Sequence, residues 1–327
     1  MPFIIIRSDI TKVTADAIVN TANPKPVIGS GTDSAIFREA GEEQLLAARK
    51  KIGEIVPGDA KATPAFALNA SYIIHTVGPA WEDGEHGERN ILRACYDNSL
   101  FLASELRCES IAFPLIATGV YGFPKDEALQ IALDAIGNYL LTHEMNVILV
   151  VFDRESFVLS QSITEEIASL IDEHTVASKS EEEYSGFKGR RPEKLPTLNR
   201  VEGFTLSLDT LLGEKEMTFQ EKLLALIDDS GQTDVTVYKN ANIDRKLFSA
   251  IRKNRNYHPK KTTVLAFAAA LKLDLDGTRD LLARAGYALS PSSPFDLILT
   301  YCITHGIYNI YEINAILFDH DQPTLGG

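Results

Sequence analysis

Short apolar segments alternate with longer amphipathic segments over the first 170 residues of the chain. The short segments are rich in β-branched residues and are predicted to be strands, at residues 3–7, 17–19, 66–69, 72–77, 110–115 and 146–152. Apolar positions at helical spacing predict helices at residues 34–51, 89–106, 125–141 and 164–172. Strands that are apolar on both faces suit the middle of a sheet covered by helices. The pattern therefore predicts a three-layer α/β/α domain.

The pattern changes after residue 173. Residues 174–216 lose their periodicity and contain an acidic run with several Gly and Pro residues, which is typical of a linker. Beyond them, helices are predicted at residues 218–229, 234–240, 244–254, 262–271, 277–285, 295–305 and 308–318. We therefore expect a first domain at residues 1–173, a linker at 174–216 and a compact all-α domain at 217–327.

Composition and charge agree with two different modules. The chain has 327 residues, of which 45% are hydrophobic and 24% charged, as in ordinary soluble proteins. Its net charge is −13, but residues 217–289 contain 12 Lys/Arg against 8 Asp/Glu, so this part is basic. No apolar run approaches the roughly 20 residues of a membrane span, and the first residues read as a strand rather than a signal peptide. We expect a cytoplasmic protein without a membrane partner.

Three scattered cysteines predict reduced thiols. No His/Cys cluster has the spacing of a zinc site, so we expect neither a metal nor a cofactor.

Two glycine-rich loops provide the candidate chemistry. The first follows the strand at residues 17–19, contains Asn20, Asn23 and the Gly29-Ser30-Gly31 run, and leads through Asp33 into a helix. The second, residues 117–124, also lies between a predicted strand and a helix. Such loops surround an anion with backbone N–H groups at the positive end of a helix dipole. Two of them suit a ligand with two phosphates and ribose hydroxyls.

Over about residues 1–170 the chain resembles the macro domain family. The resemblance rests on the order of Ser8-Asp9-Ile10-Thr11, the Asn20 to Asn23 segment, the loop that ends in Asp33, and the 117–124 loop. The ten-residue step from Asn23 to Asp33 matches the MacroD-type branch, whose members bind ADP-ribose and hydrolyse ADP-ribosyl esters. The resemblance implies a mixed central sheet.

The resemblance also implies site residues. The implied catalytic residues are Asp33, as the acidic group, and Asn23, which holds the distal ribose. The implied ligand-binding residues are Asp9 and Ile10 at the adenine, Asn20 at the base of the site, Gly29, Ser30 and Gly31 at one phosphate, Thr118, Gly119, Val120 and Tyr121 at the other phosphate and the distal ribose, and Phe152 against the adenine.

Several of these residues also have a structural interpretation. Asp33 could instead be the N-cap of the helix that follows it, and Asp9 could cap a turn at Thr11. His75 lies in an apolar strand and is interpreted as a core histidine with satisfied hydrogen bonds. Trp81 could anchor a loop or could be a plain surface aromatic residue.

The implied reaction is hydrolysis of the ester between ADP-ribose and a protein carboxylate, or of O-acetyl-ADP-ribose. The partners would then be ADP-ribose or an ADP-ribosylated protein. The first alternative is a non-catalytic reader of ADP-ribose that places the helical domain on DNA or protein. The second is removal of ADP-ribose from nucleic acid.

Residues 217–289 resemble lambda-repressor-like helix-turn-helix modules in the length and order of their helices. The basic side chains cluster late, at Arg252, Lys253, Arg255, Lys260 and Lys261. They could contact phosphates or a protein partner. Because Asn240-Ala241-Asn242 departs from a clean turn, we favour a protein-interaction role for this domain.

Overall fold

The computed structural model describes residues 2–152, 167 and 217–326. Six strands form one sheet in the order β1-β6-β5-β2-β4-β3. All neighbouring pairs are parallel except β3 and β4, so the sheet is mixed as predicted. The strands are β1 Phe3–Arg7, β2 Ala17–Thr21, β3 Ala60–Pro64, β4 Tyr72–Thr76, β5 Ser110–Pro114 and β6 Asn146–Val151.

Helices cover both faces of this sheet. The helices of this part are α1 Thr32–Ala40, α2 Glu42–Ile52, α3 Glu88–Glu105 and α4 Lys125–Thr142. Neighbouring residues of β2 point to opposite faces: Val19 packs in the core with α3 and α4, and Ile18 packs with α1. The predicted three-layer α/β/α architecture is therefore confirmed.

Three predictions for this part are wrong. The helix predicted at residues 34–51 is two helices, because Gly41 adopts a φ of 100° between α1 and α2, where few other residues are comfortable. The strand predicted at residues 66–69 is a turn, and the edge strand β3 lies before it. Asn20, expected after the second strand, lies inside β2.

The second part is helical throughout its described length, residues 217–326. Its helices are α5 Phe219–Ser230, α6 Asp234–Asn240, α7 Arg245–Lys253, α8 Lys261–Ala270, α9 Leu275–Arg284, α10 Pro294–Thr304 and α11 Ile310–Asp319. Local signals set their starts, such as the capping box of Thr218 and Glu221 before α5. The all-α prediction is confirmed. The domain boundaries at residues 173 and 216 and most of the helix predicted at 164–172 lie outside the described residues.

The helical part packs against the edge strand of the sheet. The Asn242 side chain, in the turn between α6 and α7, accepts a hydrogen bond from the Phe3 N–H at 2.9 Å and donates one to the Phe3 carbonyl at 2.9 Å. Its amide thus occupies the place that a neighbouring strand would take along β1. The edge of a sheet, which would otherwise offer free backbone groups to another chain, is covered here.

Further contacts surround this pair. The Lys239 ammonium, at the end of α6, donates to the carbonyls of Leu140 and His143, both at 3.2 Å. The Tyr311 ring of α11 packs edge-on against Phe3. A Cβ on Gly137 of α4 would lie 2.9 Å from the Tyr311 ring, so this close approach requires glycine. Apolar residues of both parts consequently form one continuous core.

We predict that Asn242→Gly lowers the free energy of unfolding by about 1–3 kcal/mol, since it leaves the buried Phe3 N–H and carbonyl without partners. Glycine is chosen because Asn242 has a φ of 53°, which glycine tolerates. Urea unfolding measures the change, with Asn256→Gly in an exposed turn as the matched control. Equal stability of the two variants would contradict a structural role for the Asn242 pair.

Candidate functional site

A groove of about 410 Å³ opens at the carboxyl ends of strands β2, β5 and β6. Ligands of α/β sheets commonly bind at this edge, where loops leave the strands. The groove is lined by both glycine-rich loops, and it contains the side chains of Asn23 and Asp33 on one side and Tyr121 on the other. The structure thus brings the two loops together, although 84 residues separate Asp33 from Ala117 in the sequence.

A buried hydrogen-bonded chain runs from the sheet to the first loop. The Asn20 amide nitrogen, at the end of β2, donates to Asp33 Oδ1 at 2.6 Å and contacts His75 Nδ1 at 3.1 Å. His75 Nε2 in turn lies 3.0 Å from the Thr63 hydroxyl on β3. Asn20 is fully buried and lies beneath the groove, so it supports the loop rather than lining the cavity.

Asp33 closes the first loop on itself. Its second oxygen, Oδ2, accepts the backbone N–H of Gly29 at 2.5 Å. A Cβ on Gly29 would lie 3.1 Å from this oxygen, which explains the glycine. The N-cap interpretation of Asp33 is wrong, because Gly31 is the N-cap of α1 and Asp33 lies inside the first turn of that helix.

The amino end of α1 points its backbone into the groove region. Gly31 has a φ of 61° and a ψ of −127°, and α1 has no side chain that caps its first N–H groups. Orphan N–H groups at a helix start, with the positive end of the dipole, attract an anion. Ser30 and Gly31 both line the groove, so their backbone is accessible to a phosphate.

The second loop faces the first. Ala117 adopts a left-handed conformation with a φ of 64°, and Gly122 follows at 67°. A side chain on Gly119 would meet no protein atom within 4 Å, so this position faces open space. Gly78, which the sequence analysis missed, lies so close to Ala117 that a Cβ there would approach the Ala117 Cβ to 2.9 Å. This contact gives no local signal in the sequence.

Arg49 is a second residue that the sequence analysis missed. It is 2% exposed, and its guanidinium donates to the carbonyls of Asn23 at 3.0 Å and Pro24 at 3.1 Å, and to Gly53. It therefore ties α2 to the segment that carries Asn23. The Asn23 side chain remains in the groove lining.

Two apolar side chains stand exposed at the rim of the groove. Val120 is 85% exposed and Phe152 is 72% exposed. Phe152, predicted as the last residue of the strand at residues 146–152, directly follows β6. An exposed ring at the rim of the groove is available to pack against a planar ligand group.

Asp9 and Ile10 do not line the groove. Asp9 Oδ1 accepts from the Thr11 N–H at 2.9 Å and the Thr11 hydroxyl at 2.7 Å, so the capping interpretation of Asp9 applies to this oxygen. The Ile10 side chain is buried. The preceding Ser8 N–H donates to the Val151 carbonyl at 3.0 Å, which places this segment beside Phe152.

Burial controls the ionisation of the site. Burial raises the pKa of Asp33 above its ordinary value, against the hydrogen bonds from Asn20 and Gly29 and the charge of Arg49. Burial, with a smaller effect of the Arg49 charge, lowers the pKa of His75 to about 3, so its ring is neutral near pH 7. Its interpretation as a core histidine agrees with this environment. Burial and the Asp33 charge raise the pKa of Tyr121.

Within residues 2–152 and 217–326, no three His, Cys, Asp or Glu side chains are placed to hold a metal ion. In the same ranges, no helix is both long enough and apolar enough to cross a membrane.

Comparisons with known proteins identify relatives of the α/β part. The profile of the macro domain family matches residues 19–132. A macro domain-containing protein of Chlorobaculum tepidum is 48% identical over 135 residues, which cover 41% of this chain and 78% of the relative. An O-acetyl-ADP-ribose deacetylase of Cronobacter sakazakii is 42% identical over 164 residues, 49% of this chain and 91% of the relative. A solved Oceanobacillus iheyensis macrodomain with ADP is 39% identical, covers 46% of this chain and 84% of its own, and has a TM-score of 0.45.

We predict that His75 makes the protein less stable in acid. Its folded pKa of about 3 lies below the ordinary 6.5, so the unfolded chain binds the extra proton between these values. Stability is then lost as the pH falls below 6.5, by up to about 1.4 kcal/mol per pH unit. Urea unfolding between pH 6.5 and 4.5 should show a shallower slope for His75→Gln, while the exposed His258→Gln keeps the wild-type slope. Identical slopes in both variants would refute this assignment.

Proposed function

This chain belongs to the macro domain family, and on that premise we propose that it binds ADP-ribose and hydrolyses an ester at the distal ribose. The substrate would be O-acetyl-ADP-ribose or a protein with ADP-ribose on a carboxylate. The observation that carries the proposal is the Asp33 carboxylate, 2% exposed and placed between two glycine-rich loops in a groove. Relatives named O-acetyl-ADP-ribose deacetylase, 42–44% identical, support this reaction class.

In this proposal the backbone of the two loops binds the pyrophosphate. The start of α1 at Gly31 would take one phosphate, and the segment from Thr118 to Tyr121 would take the other. Phe152 would pack against the adenine, with Asp9 and Ile10 next to it. Fixing the pyrophosphate orients the distal ribose, and such positioning supplies a large part of the rate in reactions of bound groups.

Asp33 would act as a general base, directly on a water molecule or through a ribose hydroxyl. A base is most useful when its pKa lies close to the working pH, and burial shifts the pKa of Asp33 in that direction. Asn23 and Tyr121, on opposite sides of the groove, would hold the distal ribose near this carboxylate. The proton taken from water would then pass to the leaving group.

The two alternatives differ in what the helical part does. In a non-catalytic reader, ADP-ribose binding by the α/β part would place the helical part on DNA or a protein. In an enzyme that removes ADP-ribose from nucleic acid, the helical part would bind the modified strand. The helix-turn-helix interpretation is supported by α6 and α7, which a four-residue turn joins, with Arg245 and Lys246 exposed on α7. It is opposed by Asn242 in that turn, which is already bound to Phe3. We favour a protein-interaction role for the helical part. Its contact with β1 is an interaction of this kind that is made within the chain.

The division of the chain into residues 1–173, 174–216 and 217–327 is likewise a proposal, as is a cytoplasmic location. The continuous core between the α/β part and the helical part argues for testing function on the full chain.

We predict that Gly119→Glu abolishes ADP-ribose binding in a folded protein. Because a Cβ on Gly119 would meet no protein atom within 4 Å and Gly119 lines the groove, we expect a glutamate there to occupy the groove and repel phosphate without disturbing the core. Calorimetry on the full chain should give a micromolar Kd for the wild type and no measurable heat for the variant. Unaltered affinity in the variant would move the phosphate site elsewhere.

We predict that Asp33→Ala lowers the rate of ester hydrolysis by about 10²–10⁴-fold. ADP-ribose affinity should fall only several-fold, through the loosened Gly29 loop. The matched control is Asp126→Ala, an exposed aspartate at the same position of α4. Release of acetate from O-acetyl-ADP-ribose, and of ADP-ribose from a modified protein, measures the rate. Binding without hydrolysis in the wild type would instead favour the reader.

A further inference from the structure

We propose that Glu88 and Trp81 are positioning residues that hold the 117–124 loop in the shape that receives the distal ribose. The proposal rests on the function proposed above and adds two residues that lie outside the groove lining. Together with Arg89 they form a connection, here called the brace, from the start of α3 to the second glycine-rich loop.

Glu88 organises the loop that precedes α3. It is the first residue of α3, and its carboxylate is 2% exposed. Oε1 accepts the N–H groups of Gly84 at 3.1 Å and Glu82 at 3.4 Å, and Oε2 accepts the N–H of His86 at 2.8 Å. One carboxylate thus accepts hydrogen bonds from every second residue between 82 and 86, and the loop wraps around it. Loss of the charge would leave N–H donors without partners.

Trp81 connects the loop before α3 to the 117–124 loop. Its backbone N–H donates to the Tyr121 carbonyl at 2.8 Å. Its ring packs edge-on against Phe123, with ring centres 4.6 Å apart. Phe123 is 1% exposed, so the Trp81 ring fixes a buried residue two positions after Tyr121. The open question about Trp81 is thereby answered in favour of a loop anchor.

Arg89 adds a weaker link. It donates to the Gly84 carbonyl at 2.8 Å and makes a two-point contact with Glu127 of α4 at 2.7 and 3.2 Å. Its guanidinium also lies 5.3 Å from the centre of the Trp81 ring. The Arg89 and Glu127 side chains are 50% and 37% exposed, and exposed pairs of this kind stabilise by at most about 1 kcal/mol. We therefore assign most of the constraint on the 117–124 loop to Glu88 and Trp81.

The brace contacts the 117–124 loop at Tyr121 and Phe123, where the distal ribose of the proposed ligand would lie. Tyr121 lies near enough to Asp33 for the carboxylate charge to raise its pKa, and both line the groove where the distal ribose would bind. The adenine half, around Phe152 and Asp9, belongs to the ends of β6 and β1, which the brace does not contact. A brace that positions Tyr121 should therefore affect ADP-ribose far more than AMP, which lacks the distal ribose that Tyr121 would contact.

A purely structural role for Glu88 makes a different prediction. As a helix-start carboxylate it would stabilise α3, and its loss would lower stability without choosing between the two nucleotides. The ratio of the two dissociation constants separates these roles.

Calorimetry on full-length Glu88→Gln and Trp81→Leu, with ADP-ribose and with AMP, tests the proposal. The Glu88→Gln change keeps the size of the side chain but places an NH₂ group against a backbone N–H. The Trp81→Leu change keeps the backbone donor but removes the ring that packs on Phe123. We expect the Kd for ADP-ribose to rise 5–30-fold in each variant and the Kd for AMP to stay within twofold. Arg93→Ala, which removes an exposed α3 ion pair with Asp97, is the control and should change neither value.

Each outcome decides the matter. Equal weakening of both nucleotides, or unchanged ADP-ribose affinity in folded variants, overturns the positioning role and leaves the proposed function standing. A wild-type protein that binds no ADP-ribose overturns both. Should Glu88→Gln fail to fold, Trp81→Leu alone gives the same comparison, because it removes only the ring contacts with Phe123 and Arg89.

Discussion

The hydrogen bond from the Asn20 amide to the Asp33 carboxylate is the contact on which the groove depends. It joins the middle of the sheet to the loop that would hold a phosphate, and Asp33 passes the constraint on to Gly29. Both partners are buried, so breaking the bond would leave polar groups unpaired at a cost of about 1–3 kcal/mol. The neutral His75 beneath them completes the chain to β3. One carboxylate thus shapes the loop and lines the groove.

The helical part contains two buried asparagines of a similar kind. Each makes two hydrogen bonds with the backbone of one other residue. Asn242 pairs in this way with Phe3, and Asn314 pairs with Leu325 at 2.6 and 3.0 Å. Both asparagines are at most 1% exposed. The side-chain amide carries the donor and acceptor of a peptide group, so it can close a strand or tail where no strand continues. The first pair fastens the helical part to the sheet, and the second fastens the end of the described chain.

The layers and both glycine-rich loops can be predicted from local spacing in the sequence, and the resemblance to the macro domain family implies the mixed sheet. The sequence pattern misplaces β3, an edge strand whose exposed Lys61 and Pro64 break the apolar pattern, and it misses the break at Gly41. The close approach of Gly78 to Ala117 and the support by Arg49 could not be predicted, since they depend on contacts between distant segments. Asn242 shows the limit most clearly: its partner Phe3 is 239 residues away, and the departure from a clean turn gives no hint of where that partner lies.

The distance in sequence between β1 and its cover has a consequence for synthesis of the protein on the ribosome. β1 is made before its partners: it can pair with β6 only after residue 151 has left the ribosome, and Asn242 and Tyr311 follow much later. At elongation rates of roughly 5–20 residues per second, many seconds pass in which the Phe3 backbone lacks these partners. A nascent chain of this protein therefore leaves this side of β1 open until residues 242 and 311 have emerged, and its encounters with chaperones or with neighbouring nascent chains during that time should centre on β1.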